Sequence, residues 1–236
     1  MRDGQLYGFS TEMITPNETD NPSQAPEPYL KGKNAVYLWS FIGANLAIFL
    51  SLVVSRQFAS SSIDHFWQRV TTKDGIIAAC IPLLAIVLSG VLSDTGKARL
   101  VFWRWRNPLP GCRVFTQLIN TDPRIDVAAL RNKHGEFPAE PQAQNALWFR
   151  LYKQHRTIPL VWEAHKIYLL TRDMATIAAV FVVLFSIGVV AVSVNGKTSL
   201  LYIGALVVQY VLVASAAQNY GKRFVLDVLS EESSSS

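Results

Sequence analysis

Residues 174–217, MATIAAVFVVLFSIGVVAVSVNGKTSLLYIGALVVQYVLVASAA, decide what kind of protein this is. Two apolar runs, Met174–Val194 and Ser199–Ala217, hold no Asp, Glu, Lys or Arg, and only Asn195-Gly196-Lys197-Thr198 separates them. An α-helix rises 1.5 Å per residue, so about 20 apolar residues match a hydrocarbon layer of roughly 30 Å. A link this short leaves two spans one arrangement, a tight antiparallel hairpin. Gly204, Val208, Val211 and Ser215 fall on one stripe of the last span, which suits close helix contact.

Upstream the pattern repeats. Ala35–Val54 is apolar and uncharged, with Tyr37 and Trp39 near its start and Lys31 and Lys33 before it, as at a membrane interface. Ile76–Leu92 is a second apolar run. Its Pro82 is tolerated in lipid, where neighbouring helices or a local kink satisfy the freed carbonyl, and Ser89-Gly90 allows close packing. In the link 55–74, Ile63, Phe66, Trp67 and Val70 recur at the spacing of one helix face, which predicts a short helix lying in the interface plane. The expected fold is therefore an all-α integral membrane protein with four transmembrane helices arranged as two hairpins. A basic helical cytoplasmic insert separates spans two and three. The divisions are a flexible polar arm (1–34), a first membrane hairpin (35–93), a helical cytoplasmic domain (94–173), a second membrane hairpin (174–217) and a cytoplasmic tail (218–236). The arm is rich in proline and acids and cannot bury enough apolar surface to order itself alone. The Ser-rich end, Ser233–Ser236, is read as loose.

Lys and Arg orient the chain. Residues 94–173 carry thirteen of them, the 55–74 link has three (Arg56, Arg69, Lys73), and the tight hairpin has Lys197. The positive-inside rule places the insert and both termini of this multi-pass chain in the cytoplasm. Cys80 sits in an apolar run and Cys112 in the polar insert, so no disulfide framework is expected. Within the insert, Asp122-Pro123 predicts the start and Gly135 the stop of a helix near 124–134. Residues 142–156 form another, and Pro159 begins a segment that leads into the third span.

The most unusual sentence of the insert is Phe102-Trp103-Arg104-Trp105-Arg106-Asn107-Pro108-Leu109-Pro110-Gly111-Cys112-Arg113. Arg104, Arg106 and Arg113, with Lys97 and Arg99 upstream, offer charge and planar forks for phosphate, and Trp103 and Trp105 offer stacking faces of the kind that hold single-stranded nucleic acid. The competing explanation is an anchor in the inner membrane surface, where Trp and Arg are favoured. A helix continuing past Leu92 would carry Arg104 roughly 18 Å beyond the hydrocarbon. A break at Asp94-Thr95-Gly96 would let the stretch lie flat on the membrane.

The four histidines (His65, His134, His155, His165) form no zincin or triad pattern, and no glycine loop for phosphate is present. The pairs Glu163/His165 and Asp122/Asp126 are the acid–base neighbours, and satisfied or solvated side chains are expected there. The expectation is no enzyme, no cofactor and no metal. The spans hold no charge, which argues against an ion-coupled carrier. Asn45 and Gln209 are their deepest amides, read with Gly204 and Ser215 as helix-packing or pore residues.

Four spans, a basic helical insert and the stretch Lys97–Gly111 together resemble the small membrane effectors of bacterial anti-phage defence, such as the channel subunit of the Hailong system. The resemblance is one of plan and spans residues 35–217. It implies a homo-oligomer in the inner membrane that answers a nucleotide or single-stranded oligonucleotide signal by permeabilising the membrane, with membrane lipid as its other partner. From the residues, two functions follow. One is an oligomeric channel or pore with a cytoplasmic sensor, because four uncharged spans are too few to enclose a polar path alone. The other is a membrane scaffold or adaptor that recruits a cytoplasmic signalling partner through residues 94–173. The topology is testable: a cysteine at Ser61 should react with an impermeant thiol reagent added outside, and one at Gln142 should not. The reverse pattern would invert the orientation.

Overall fold

The computed structural model describes residues 34–58, 84, 87, 90–191 and 194–235. The arm before Asn34, the amphipathic Ile63/Phe66/Trp67/Val70 face, Pro82 and most of the second apolar run lie outside the described residues. Among the described residues all regular structure is helical: α1 (Ala35–Phe58), α2 (Asp94–Phe102), α3 (Val127–His134), α4 (Pro141–His155), α5 (Pro159–Ala191) and α6 (Gly196–Ser234), with tight turns across 110–121. Three of these, α1, α5 and α6, are long and apolar enough to cross a membrane.

Helices α5 and α6 have 33 and 39 residues. At 1.5 Å per residue they reach about 50 and 58 Å, far beyond a hydrocarbon layer of roughly 30 Å. Each therefore has an apolar portion and a portion that projects beyond it, and the projecting portions carry the polar head. In the apolar portion the core is aromatic. The rings of Phe49 and Phe185 stack at 4.6 Å, and those of Phe181 and Phe185 at 4.5 Å, with Tyr202 beside Phe49. In the head, Phe224 of α6 is the hub. It stacks on His165 at 4.7 Å and receives the edges of Trp148 and Tyr152.

Local chemistry sets the helix ends. Ser93 caps α2 by accepting the Gly96 N–H at 3.1 Å, and Glu140 caps α4 with Pro141 in its first turn. Gly135, at φ 76°, ends α3 as expected for a residue free to adopt positive φ. The start of α3 corrects the expectation at Asp122-Pro123. Asp126 is the cap, accepting from Ala129 N at 2.9 Å. Asp122 instead accepts from the backbone and guanidinium of its neighbour Arg124, an alternative that a short acidic side chain offers the backbone.

Two further expectations are corrected. Residues 218–235 are not a separate tail, and Ser233-Ser234-Ser235 are not loose. Helix α6 continues without a break to Ser234, because Phe224, Val225, Val228 and Leu229 bury themselves in the head core. Apolar residues at helical spacing on the tail supply the stripe that keeps it helical.

Helix α6 is closely approached by two aromatic rings at Gly221. A Cβ built there would lie 2.8 Å from the Phe102 ring and 2.9 Å from that of Tyr168. Overpacking of this kind costs about 1–3 kcal/mol. Gly221→Val should lower the unfolding temperature in detergent, whereas Gly204→Ala, where nothing lies within 4 Å, should leave it unchanged or raise it. Equal behaviour of the two variants would show that α2 does not seat on α6 in this way.

Candidate functional site

The segment between α2 and the turn at Pro110 forms the candidate site. Helix α2 ends at Phe102 because Trp103 takes a left-handed conformation, φ 52°, while its N–H still reaches Arg99 O at 3.0 Å. Asn107 is the second left-handed residue, φ 48°, immediately before Pro108. Asn is among the few L-residues that visit this region readily, and proline keeps its predecessor out of the helix. Between these two points the chain is a non-helical strap.

That geometry lets arginines two residues apart line one cleft. In a helix Arg104 and Arg106 would point about 200° apart. On the strap both line one cleft of about 520 Å3 together with Arg113, Trp105, Asn107 and Thr116. Gln144 of α4 forms part of the wall, held by bonds from Phe115 N (3.2 Å) and Thr116 Oγ1 (3.3 Å) and by its own donation to Ala139 O (3.0 Å). Gly111 is required where α4 passes the turn, since a Cβ would press on Asn145 and on the Trp148 ring at 3.2 Å. A smaller groove of about 410 Å3 shares Trp105 and Arg106 and adds Arg99, whose Nε donates to Trp105 O at 3.1 Å.

The cleft is cationic and lacks internal compensation. Its lining holds no carboxylate. The nearby Glu140 is turned into the α4 cap, bonded to Ala143 N at 2.6 Å. Burial and the charge of Arg104 both push the Arg113 guanidinium below its ordinary value. Arg113 lies over the Phe102 ring at 5.6 Å, and its Nη1 is buried without a hydrogen-bond partner. A buried cationic donor left unmatched costs free energy. Burial raises the Cys112 thiol, which makes it a poor nucleophile.

Of the residues singled out from the sequence, Arg104, Trp105, Arg106 and Arg113 come together, and Arg99 lies in the adjoining groove. Lys97 and Trp103 do not join them. Lys97 pairs with Asp173 of α5 at 3.1 Å, in a network where Arg172 also reaches Asp94 and Asp173, both at 3.2 Å. Trp103 donates from Nε1 to Tyr210 OH at 3.0 Å, and that hydroxyl donates to Leu100 O at 2.8 Å. The adjacent Arg172-Asp173 pair at the edge of an apolar run was the signal for the first network. Nothing local marked Tyr210 or Gln144.

The amides and small residues of the spans behave differently from one another. Asn45 is buried but donates within its own helix, to Phe41 O at 2.9 Å, and Ser215 donates to Val211 O at 2.7 Å. Gly204 is exposed and takes no part in packing within the chain, and Gln209 is half-buried. The described histidines are all partnered. His165 pairs with Tyr152 OH at 2.9 Å, and Glu163 pairs with Lys166 rather than with His165. His65 lies outside the described residues.

A polar cluster ties α6 to the rest of the head. The buried carboxylate of Glu232 takes His134 Nε2 at 2.7 Å, Lys133 Nζ at 2.9 Å and the His155 ring. Burial raises this carboxyl, but the bonds from His155, Lys133 and His134 outweigh it and hold the group at about 2. Among the described residues no group of three His, Cys, Asp or Glu side chains is arranged to hold a metal. A depressed carboxylate stabilises the fold above its unfolded value of 4.5, and that contribution is lost as pH falls toward 2. The unfolding temperature of the wild type should therefore drop between pH 5 and pH 2.5 by more than that of Glu232→Gln, which starts lower. Parallel curves would remove Glu232 from this role. Comparison with family models, with characterised proteins and with solved structures finds no match for this chain.

Proposed function

We propose that the protein is an oligomeric inner-membrane channel or pore-forming effector whose basic cytoplasmic head responds to a phosphate-bearing ligand. Four spans form two hairpins, with both termini on the cytoplasmic side. The observation that carries this reading is the continuity of α5 and α6. Both run unbroken from the core behind the arginine cleft into the apolar region. A ligand that draws Arg104, Arg106 and Arg113 together moves Phe102, and Phe102 bears on Gly221 of α6 and Tyr168 of α5. Binding at the cleft thus shifts the tilt of the membrane helices, provided one pore state binds the ligand more tightly.

A single chain offers no polar path among its described helices, since its membrane core is filled by stacked phenylalanines. A conduit therefore lies between copies. The face that bears Gly204, Val208 and Val211 is exposed in one chain and open to a neighbour. The resemblance to anti-phage effectors points to a nucleotide or single-stranded oligonucleotide as ligand. The cleft itself asks only for phosphate beside an exposed indole.

The test is conductance of the purified protein in planar bilayers, with ATP, short single-stranded DNA or added anionic lipid. Discrete currents whose open probability changes at least several-fold with one of these ligands, and no longer change in Arg104→Gln/Arg106→Gln, are expected. A silent protein that is monomeric in mild detergent would favour a scaffold that recruits a cytoplasmic partner.

A further inference from the structure

The position of the strap relative to the apolar helices narrows the source of the phosphate. The apolar run of α6 ends at Ala217, and Tyr210 lies about 10 Å before that end along the helix axis. Trp103 and Leu100 both bond to the Tyr210 hydroxyl, so the end of α2 and the start of the strap sit beside the membrane portion of α6. At its other end α2 meets Arg172 and Asp173, which close the apolar run of α5 on the same side. Gln218 Nε2, just past the run, donates to Val101 O at 2.7 Å. Helix α2 therefore lies across α5 and α6 at the level where hydrocarbon gives way to headgroups. The chain does not continue outward from Leu92 as one helix. It turns at the Ser93 cap, the arrangement under which the strap lies along the membrane surface.

The strap's side chains suit that level. Trp103 is 51% exposed and Trp105 82% exposed, although both are large and largely apolar. Indoles exposed at the membrane boundary, interleaved with arginines, are the side chains that the headgroup layer favours. Beside them the cleft holds three guanidinium groups, no carboxylate in its lining and one buried unpartnered Nη1. Guanidinium groups recognise phosphate through paired N–H donors. One singly charged phosphodiester would leave most of that charge unmatched, whereas a headgroup with two negative charges fits it better.

We infer that the cleft formed by Arg104, Arg106 and Arg113 is a headgroup site for a dianionic phospholipid of the surrounding bilayer, with Trp103 and Trp105 seated among the neighbouring lipids. The inference rests on the cleft being a phosphate site, as proposed above, and not on the protein being a channel. A lipid phosphate reaches the cleft sideways along the membrane surface, and the indoles lie where its glycerol and upper acyl chains would pass. The bound headgroup draws Arg104 and Arg113 together against their mutual repulsion and holds α2 against α5 and α6.

The full-length protein in mild detergent, titrated with cardiolipin, phosphatidylglycerol or phosphatidylcholine and read by native mass spectrometry, tests this. Cardiolipin should be retained at least tenfold more strongly than phosphatidylcholine, with phosphatidylglycerol between them. Arg104→Gln/Arg106→Gln, at two exposed positions, should lose that preference while keeping wild-type helicity and particle size. Trp105→Ala should weaken retention of all three lipids. Wild type without lipid preference, or a preference that survives in the arginine variant, overturns the inference. A third arm adds ATP or short single-stranded DNA to delipidated protein. If these bind through the same arginines and cardiolipin does not, the lipid assignment fails while the phosphate site stands. If none of the ligands binds, both fail.

Discussion

Hydrocarbon offers a peptide group no hydrogen-bond partner, and that constraint governs the molecule. A chain that enters such a layer must stay helical until it leaves. In α5 and α6 the helix does not stop at the edge. Pro159 starts α5 well before its apolar run, and α6 continues to Ser234 well after its own. The head is therefore not a soluble domain tethered by linkers. It is assembled on the projecting ends of the two membrane helices, with Phe224 of α6 as its hub and Tyr168, His165 and Trp148 around it.

A charge network marks the edge of the apolar run of α5. Arg172 is almost wholly buried yet paired with Asp94 and Asp173, and Lys97 shares Asp173. Removing Asp173 is costly, because Arg172 and Lys97 stay largely buried and only the exposed Asp94 remains beside Arg172. The network pins the start of α2 against α5, while the Tyr210 hydroxyl and Gln218 pin its end against α6. With both ends of α2 held, the strap that follows has little freedom in where it places its arginines. The cleft thus inherits its position from contacts of α2 with the two long apolar helices.

At the far end of the head, Glu232 gathers Lys133, His134 and His155 from α3 and α4 onto the last turns of α6. Arg124 joins Asp122 to the fully buried Asp227 one face away. These ion pairs bring the short α3 and its flanking turns, which bury little apolar surface of their own, onto the long helix. Apart from the local Arg124–Asp122 contact, the pairs reach across 77 to 103 residues of sequence, so they become possible only once α6 is extended through the head.

Three of the apolar runs, those of α1, α5 and α6, were legible from sequence, because transfer of some 20 apolar residues from water is a property of composition and length. The stop at Gly135, the helix over 142–156 and the α5 segment that begins at Pro159 were legible too, since caps and prolines act locally. The same local logic misplaced the start of α3, because Asp122 and Asp126 are both competent caps and only the tertiary pairing of Arg124 with Asp227 separates them. Composition marked the Ser-rich end as loose, yet the head core holds it helical. For the cleft, sequence supplied the residue types but not the membership. Lys97 and Trp103 have the same chemistry as their neighbours and were drawn away by Asp173 and Tyr210. Those partners lie 76 and 107 residues along the chain, and no pattern within the stretch encodes them. Which arginines face one another is decided by a left-handed turn at Trp103 and by the helices it must pass, and both are products of the folded chain.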